Sequence, residues 1–166
     1  VSNTTDTTIE NCVIANAPRD GILAENTVNL QIKNTLIVNN QLSGGRGGGL
    51  AGGGTDMHIM RSTFINNGRD RIGAHNIYLR HLHDALIEGN QLEGGSNLGL
   101  VLHGSSSHVV IRNNMIRGNS NGIDVTGGYS GEEEVFDSIV IANNIIKDNG
   151  FRVGEQGYGL LLKSIT

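Results

Sequence analysis

Short apolar runs recur along the whole chain, set between Gly and Asn, and six of them align. They are Ile9-Glu-Asn-Cys-Val-Ile14, Ile32-Lys-Asn-Thr-Leu-Ile37, Met60-Arg-Ser-Thr-Phe-Ile65, Ile87-Glu-Gly-Asn-Gln-Leu92, Ile111-Arg-Asn-Asn-Met-Ile116 and Ile141-Ala-Asn-Asn-Ile-Ile146, with starts 23, 28, 27, 24 and 30 residues apart. A second set interleaves with the first, beginning at Gly21, Gly49, Asn76, Gly99, Gly122 and Gly159, each followed by three mostly aliphatic residues. The runs are rich in β-branched residues, and no helix-period stripe of useful length occurs, so they read as strands. A strand this short finds its partner one repeat later, at about 4.8 Å per step. The prediction is an all-β chain, a single parallel β-helix (solenoid) domain over 1–166 with about six rungs and three short strands per rung.

Stacking fills the interior with columns of like residues. One column is expected to hold Ile9, Ile32, Met60, Ile87, Ile111 and Ile141, another Ile14, Ile37, Ile65, Leu92, Ile116 and Ile146. In the third rung a shift of one residue would put Ile59 in place of Met60. Asn11, Asn34, Asn113 and Asn143 fall two residues after the column-starting Ile. Asn tolerates the left-handed backbone of a sharp corner, and its stacked amides could bond along the axis as a ladder, with Ser62 and Gly89 interrupting it.

Composition narrows the function classes. Gly (25) and Asn (20) are abundant among the 166 residues, Pro occurs once, and 37% of the chain is hydrophobic. That is enough for a continuous core, while no stretch approaches the roughly 20 apolar residues of a membrane span. A net charge of −4 and a pI near 5.8 argue against nucleic acid, whose binding needs a basic face. Cys12 is the only cysteine, so no intrachain disulfide forms. The chain begins at Val1 with neither an initiating Met nor an apolar leader, as expected of a mature form or a piece of a longer β-helix.

The repeat I-x-N-N-x-I followed by G-I-x-V resembles the right-handed parallel β-helix repeat of the pectin-lyase-like superfamily, over roughly residues 6–163. The resemblance implies a right-handed solenoid and suggests an extracellular or periplasmic location. It leaves function open, because the architecture hosts lyases, hydrolases, epimerases, tailspikes and adhesins. Asn121-Gly-Ile-Asp124 echoes the N-T-D-G-(I/F)-D segment of polygalacturonase-like hydrolases, but Ser120 and Asn121 replace the Thr-Asp step and the later motifs are missing. Of the Y-G-x-D-P-H segment of alginate epimerases, Tyr158-Gly-Leu matches only the opening.

On a solenoid, function is read across repeats. Alternation in the second strand set turns outward Leu23, Ala51, Tyr78, Val101, Asp124 and Leu161, and beside them Glu25, Gly53, Arg80, His103, Thr126 and Lys163. His103, Tyr78 and Asp124 are the candidate catalytic residues. Arg80 and Lys163 are expected to bind substrate, with Arg71, His75 and Tyr129 in the flanking insertions. Such a set suits an acidic, uronate-containing polysaccharide: a cation neutralises the carboxylate and acidifies the adjacent C–H, His or Tyr moves the proton, and Asp124 orients a base or holds a cation. The ordinary alternative is a solvated polar column on a structural or adhesive module that self-associates through uncapped ends as a homo-oligomer.

No cofactor is expected to be required. Glu132, Glu133 and Glu134, together with Asp124, offer oxygen ligands of the kind that hold Ca²⁺, although a solvated acidic loop explains such a run equally simply. His81-Leu-His83 alternates as metal ligands on a strand do, but a third ligand is not evident, so no metal site is expected. His58 changes from core to surface with the register shift, and His108 shares a corner with Asp6, Asn29 and Asp84. The glycine run Gly44–Gly54 lacks the ending and the helix of a phosphate loop, so it reads as a flexible loop plus a weak strand at Leu50. With no Trp, three Tyr and three Phe, few rings are available for stacking on neutral sugars.

Overall fold

In the computed structural model, residues 1–41, 48–68, 74–127, 134–150 and 157–163 are described. The strands are β1 (Thr5–Glu10), β2 (Val13–Ala15), β3 (Ile22–Lys33), β4 (Leu36–Val38), β5 (Gly48–Thr55), β6 (His58–Met60), β7 (Thr63–Ile65) and β8 (His75–Glu88). There follow β9 (Gln91–Glu93), β10 (Leu98–His103), β11 (Ser106–Arg112), β12 (Met115–Arg117), β13 (Asn121–Thr126), β14 (Phe136–Ala142), β15 (Ile145–Lys147) and β16 (Leu160–Lys163). Every strand pairing is parallel, and each strand pairs with its counterpart one repeat away. Six strands, β2, β4, β7, β9, β12 and β15, stack in one sheet, so about five turns separate the first rung from the last.

Each rung has three faces. The first holds the start of β3, then β5, the start of β8, β10, β13 and β16; the second holds β1, β6, β11, β14 and the ends of β3 and β8. β3 and β8 run through both because each turns the corner at one left-handed residue, Asn26 (φ 52°) or His81 (φ 50°). The next corner along the second face is left-handed in every rung with a described backbone there: Asp6, Asn29, Asp56, Asp84, His108 and Ser138. Small polar side chains dominate these corners because they tolerate that conformation best.

The expected core columns form, with one correction. Ile32 pairs with Ile59 and Ile59 with Ile87, so Ile59 takes the interior place and Met60 is only half-buried. Likewise Phe64, fully buried, stands between Ile37 and Leu92 where Ile65 was expected. A buried polar ladder sets this register. Thr35 N donates to Ser62 Oγ (3.2 Å), and Ser62 N donates to Asn90 Oδ1 (2.9 Å). Asn90 Nδ2 then reaches Asn114 Oδ1 (3.0 Å), and Asn114 Nδ2 reaches Asn144 Oδ1 (2.9 Å). The ladder therefore lies one residue beyond the predicted Asn column. Asn11, Asn34, Asn113 and Asn143 do take left-handed φ values of 47° to 57°, as expected, but their side chains sit outside the ladder. Ser62 belongs to the ladder, and Arg61 occupies the left-handed corner before it. A second ladder runs through Asn40, Asn67, Asn76, Asn119 and Asn149 where the third face returns to the first.

Candidate functional site

On the first face, Ile22, Leu50, Ile77, Leu100 and Ile123 point into the core, and the residues after them point away from it. The register makes those outward residues continuous. Leu23, Ala51, Tyr78, Val101, Asp124 and Leu161 pair in succession. So do Arg80, His103, Thr126 and Lys163. The fold thus brings Tyr78, Arg80, His103, Asp124 and Lys163 onto one surface.

Tyr78 stands at the centre of a small aromatic cluster. Its ring is stacked on His75 (centroids 5.5 Å apart, planes at 23°) and meets His103 edge-on (5.4 Å, 83°). His75 lies beneath this surface with only 6% of its area exposed, so it supports Tyr78 from below and does not stand on the open face. Its Nδ1 accepts from Leu98 N (3.3 Å), which assigns the proton of the neutral ring to Nε2. Burial, reinforced by the charge of His103, pushes its pKa down to about 3.

This burial has a consequence for stability. Below about pH 6.5 an unfolded chain takes up a proton at His75, whereas the folded chain does not do so until about pH 3. Its contribution is therefore complete above pH 6.5 and is lost as the pH falls through that window, at up to about 1.4 kcal/mol per pH unit. In His75→Asn, the amide oxygen keeps an acceptor for Leu98 N but does not titrate. Urea unfolding followed from pH 7 to pH 4 is expected to show a shallower loss of stability in this variant than in the parent.

Around His103 and Asp124 the environment opposes charge. Burial lowers the His103 pKa, and the nearby Asp124 and Glu134 carboxylates only partly restore it, so the imidazole is a neutral proton acceptor near pH 7. Burial raises the Asp124 carboxyl, while Thr126, His103, Tyr158 and Lys163 pull it back. Tyr158 Oη donates to Asp124 Oδ2 (3.2 Å), and Oδ1 is buried without a hydrogen-bond partner among the described residues. Glu134 Oε2 accepts from Gly104 N (3.0 Å), next to His103.

Arg71 and Tyr129, with Arg69, Asp70, Glu132 and Glu133, lie outside the described residues. Among those described, no group of three or more His, Cys, Asp or Glu is placed to hold a metal ion. His83 Nδ1 faces Ser107 Oγ at 2.8 Å, His108 faces Asp84 at 3.3 Å and half-buried His58 faces Asp56 at 3.1 Å. Tyr158, which the sequence offers only as the opening of a partial motif match, is not among the candidate site residues read from the column. Extending the register upstream of the strand set would have found it, because Gly48 pairs with His75 and Leu98 with Asn121, whose side chain takes Tyr158 N (3.1 Å).

The sequence matches the family model described as right handed beta helix region over residues 1–164. The chain belongs to the right-handed β-helix family. No curated protein sequence matches it. Among solved structures it is similar to the A-module of the mannuronan C-5 epimerase AlgE4 of Azotobacter vinelandii, at 12% identity and a TM-score of 0.42. That alignment covers 95% of this chain and 58% of the module, and no residue role is carried over from it. Family membership fixes the right-handed solenoid; the chemistry of this β-helix rests on its own column.

Proposed function

We propose that the first face binds an acidic, uronate-containing polysaccharide and processes it by β-elimination or C5 epimerisation. The observation that carries this reading is the neutral, partly buried His103 beside Tyr78 and Asp124, flanked in register by the cations Arg80 and Lys163. Arg80 or Lys163 neutralises the uronate carboxylate, which makes the C5 proton more acidic. His103 takes that proton, and Asp124 stabilises the imidazolium that forms. The resulting enolate expels the C4 substituent in a lyase, or takes a proton on the opposite ring face in an epimerase. Tyr78, held by His75, supplies a hydroxyl for the second proton transfer.

Incubation with alginate, pectate and glucuronan, with and without Ca²⁺, tests this. A lyase generates the ultraviolet absorbance of an unsaturated uronate, and an epimerase gives a flat trace with solvent deuterium incorporated at C5. Neither signal on any polymer would overturn the catalytic reading. A second reading, a binding or assembly module, is supported by the exposed apolar side chains of Val140 and Ile145. It predicts retardation of the protein in glycan-containing gels with no product.

A further inference from the structure

The glycine run left without a role in the sequence forms a trough. β5 contributes Ala51 and Gly52 to the first face and Gly53 to its corner, with Gly54, paired to Thr27 and Leu82, just beyond it, so the third rung presents almost no side chain between the second rung and the fourth. This floor is obligatory. A Cβ at Gly53 would collide with the Arg80 carbonyl oxygen, and one at Gly54 with that of Thr27. The walls stand two rung steps apart, about 10 Å. A cleft of about 450 Å³ lies here, lined by Arg19, Leu23, Glu25, Ala51, Tyr78 and Arg80, and by Asp20, whose Oδ1 accepts from Gly48 N (2.9 Å). A second cleft of about 370 Å³ adjoins it over Gly52–Gly54 and shares Glu25 and Arg80.

One interaction spans the trough. Arg80 Nη2 lies 3.7 Å from Glu25 Oε1, with about half of each side chain exposed (46% and 48%). A pair this long and this wet is worth little. A carboxylate able to approach the guanidinium at the 2.7–2.9 Å of a charge-assisted, two-pronged contact would displace it. Arg19 is exposed on the same cleft and adds a second cation to it.

We infer that the trough over β5 is a uronate-binding subsite, adjoining the His103–Asp124 centre, in which the sugar's carboxylate takes the place on Arg80 that Glu25 holds in the structure. The inference rests on the polysaccharide reading above and adds the position and chemistry of a neighbouring sugar unit. With Arg80 holding this sugar, Lys163 is left to neutralise the carboxylate of the reacting one, and Tyr78 borders both sites, so a glycan running along the solenoid axis passes from one to the other without a break. Gly52–Gly54 leave room for the ring, with Tyr78 lining one side and exposed Leu23 the other.

Two variants of the full chain test this by titration calorimetry with hexasaccharides of mannuronate, guluronate, galacturonate and glucuronate. Ala51→Leu places a side chain in the trough beside exposed Leu23, and is expected to weaken binding about tenfold by steric exclusion. Glu25→Gln removes the competing carboxylate at an exposed position, and is expected to tighten binding about threefold, an effect that shrinks with added salt. If Ala51→Leu fails to fold, the sign of the Glu25→Gln change alone decides. Unchanged or weaker binding by Glu25→Gln overturns the subsite while leaving the polysaccharide reading intact. If the parent binds none of the four hexasaccharides, the polysaccharide reading falls and the subsite falls with it.

Discussion

Asn114→Ala is expected to cost about 3–5 kcal/mol of folding stability, because hydrogen bonds to three buried polar groups are lost at once. Asn114 Oδ1 accepts from both N (2.9 Å) and Nδ2 (3.0 Å) of Asn90, and its Nδ2 donates to Ile87 O (2.9 Å) and to Asn144 Oδ1 (2.9 Å). Removing the amide leaves Asn90 N without its acceptor, leaves Asn90 Nδ2 with Ile59 O (2.8 Å) alone, and takes a donor from the Ile87 carbonyl, where water does not reach. Each stranded group costs about 1–3 kcal/mol, against a total stability of about 5–15 kcal/mol for a typical domain. Asn113, one residue earlier, is the control. It is exposed, its φ of 57° suits glycine, and its side chain reaches only Glu88 (3.1 Å). Asn113→Gly should therefore change stability by less than about 1 kcal/mol. Denaturant melts of the two variants check the contrast; equal losses would refute the ladder as the main internal polar support.

The second large effect concerns catalysis. His103→Ala is expected to lower turnover of the uronan by about 10²–10⁴-fold, the usual contribution of a general base, while shifting the thermal midpoint little because the ring stands on the outward face, only partly buried and outside the hydrophobic core. Parallel loss of activity and stability would assign His103 a structural role. The pH profile adds an independent readout. Because burial lowers the His103 pKa, the acid limb of kcat/KM should lie below the ordinary imidazole value of about 6.5. The Asp124 carboxylate raises that pKa, so Asp124→Asn should move the limb lower still. A limb that stays in place in Asp124→Asn would show that His103 is not the titrating base.

Much of this molecule is legible in the chain because a solenoid repeats one environment. The position of Ile22 in one rung recurs at Leu50, Ile77, Leu100 and Ile123, so aligning the repeats amounts to writing the sheet register. The outward columns through Tyr78–Val101–Asp124 and Arg80–His103–Thr126–Lys163 follow from the same alignment and the period of two. The third rung's register stays open by one residue in the sequence, because loop lengths between rungs vary, and the structure takes the shifted one. Pattern alone cannot distinguish Met60 from Ile59, or Ile65 from Phe64, when both are apolar.

The amino-acid sequence by itself determined the all-β repeat, the parallel stacking, the left-handed corners and the face on which ionisable groups gather. Each follows from local periodicity and from the few residue types that tolerate a given backbone. Only the tertiary structure decided which of two adjacent asparagines enters the ladder. It also decided that His75 is buried under Tyr78, that Tyr158 bonds Asp124, and that Glu25 reaches Arg80 across a glycine floor. Those features depend on side chains from different rungs meeting in space, and burial and hydrogen bonding are set by these neighbours along the axis, not along the chain.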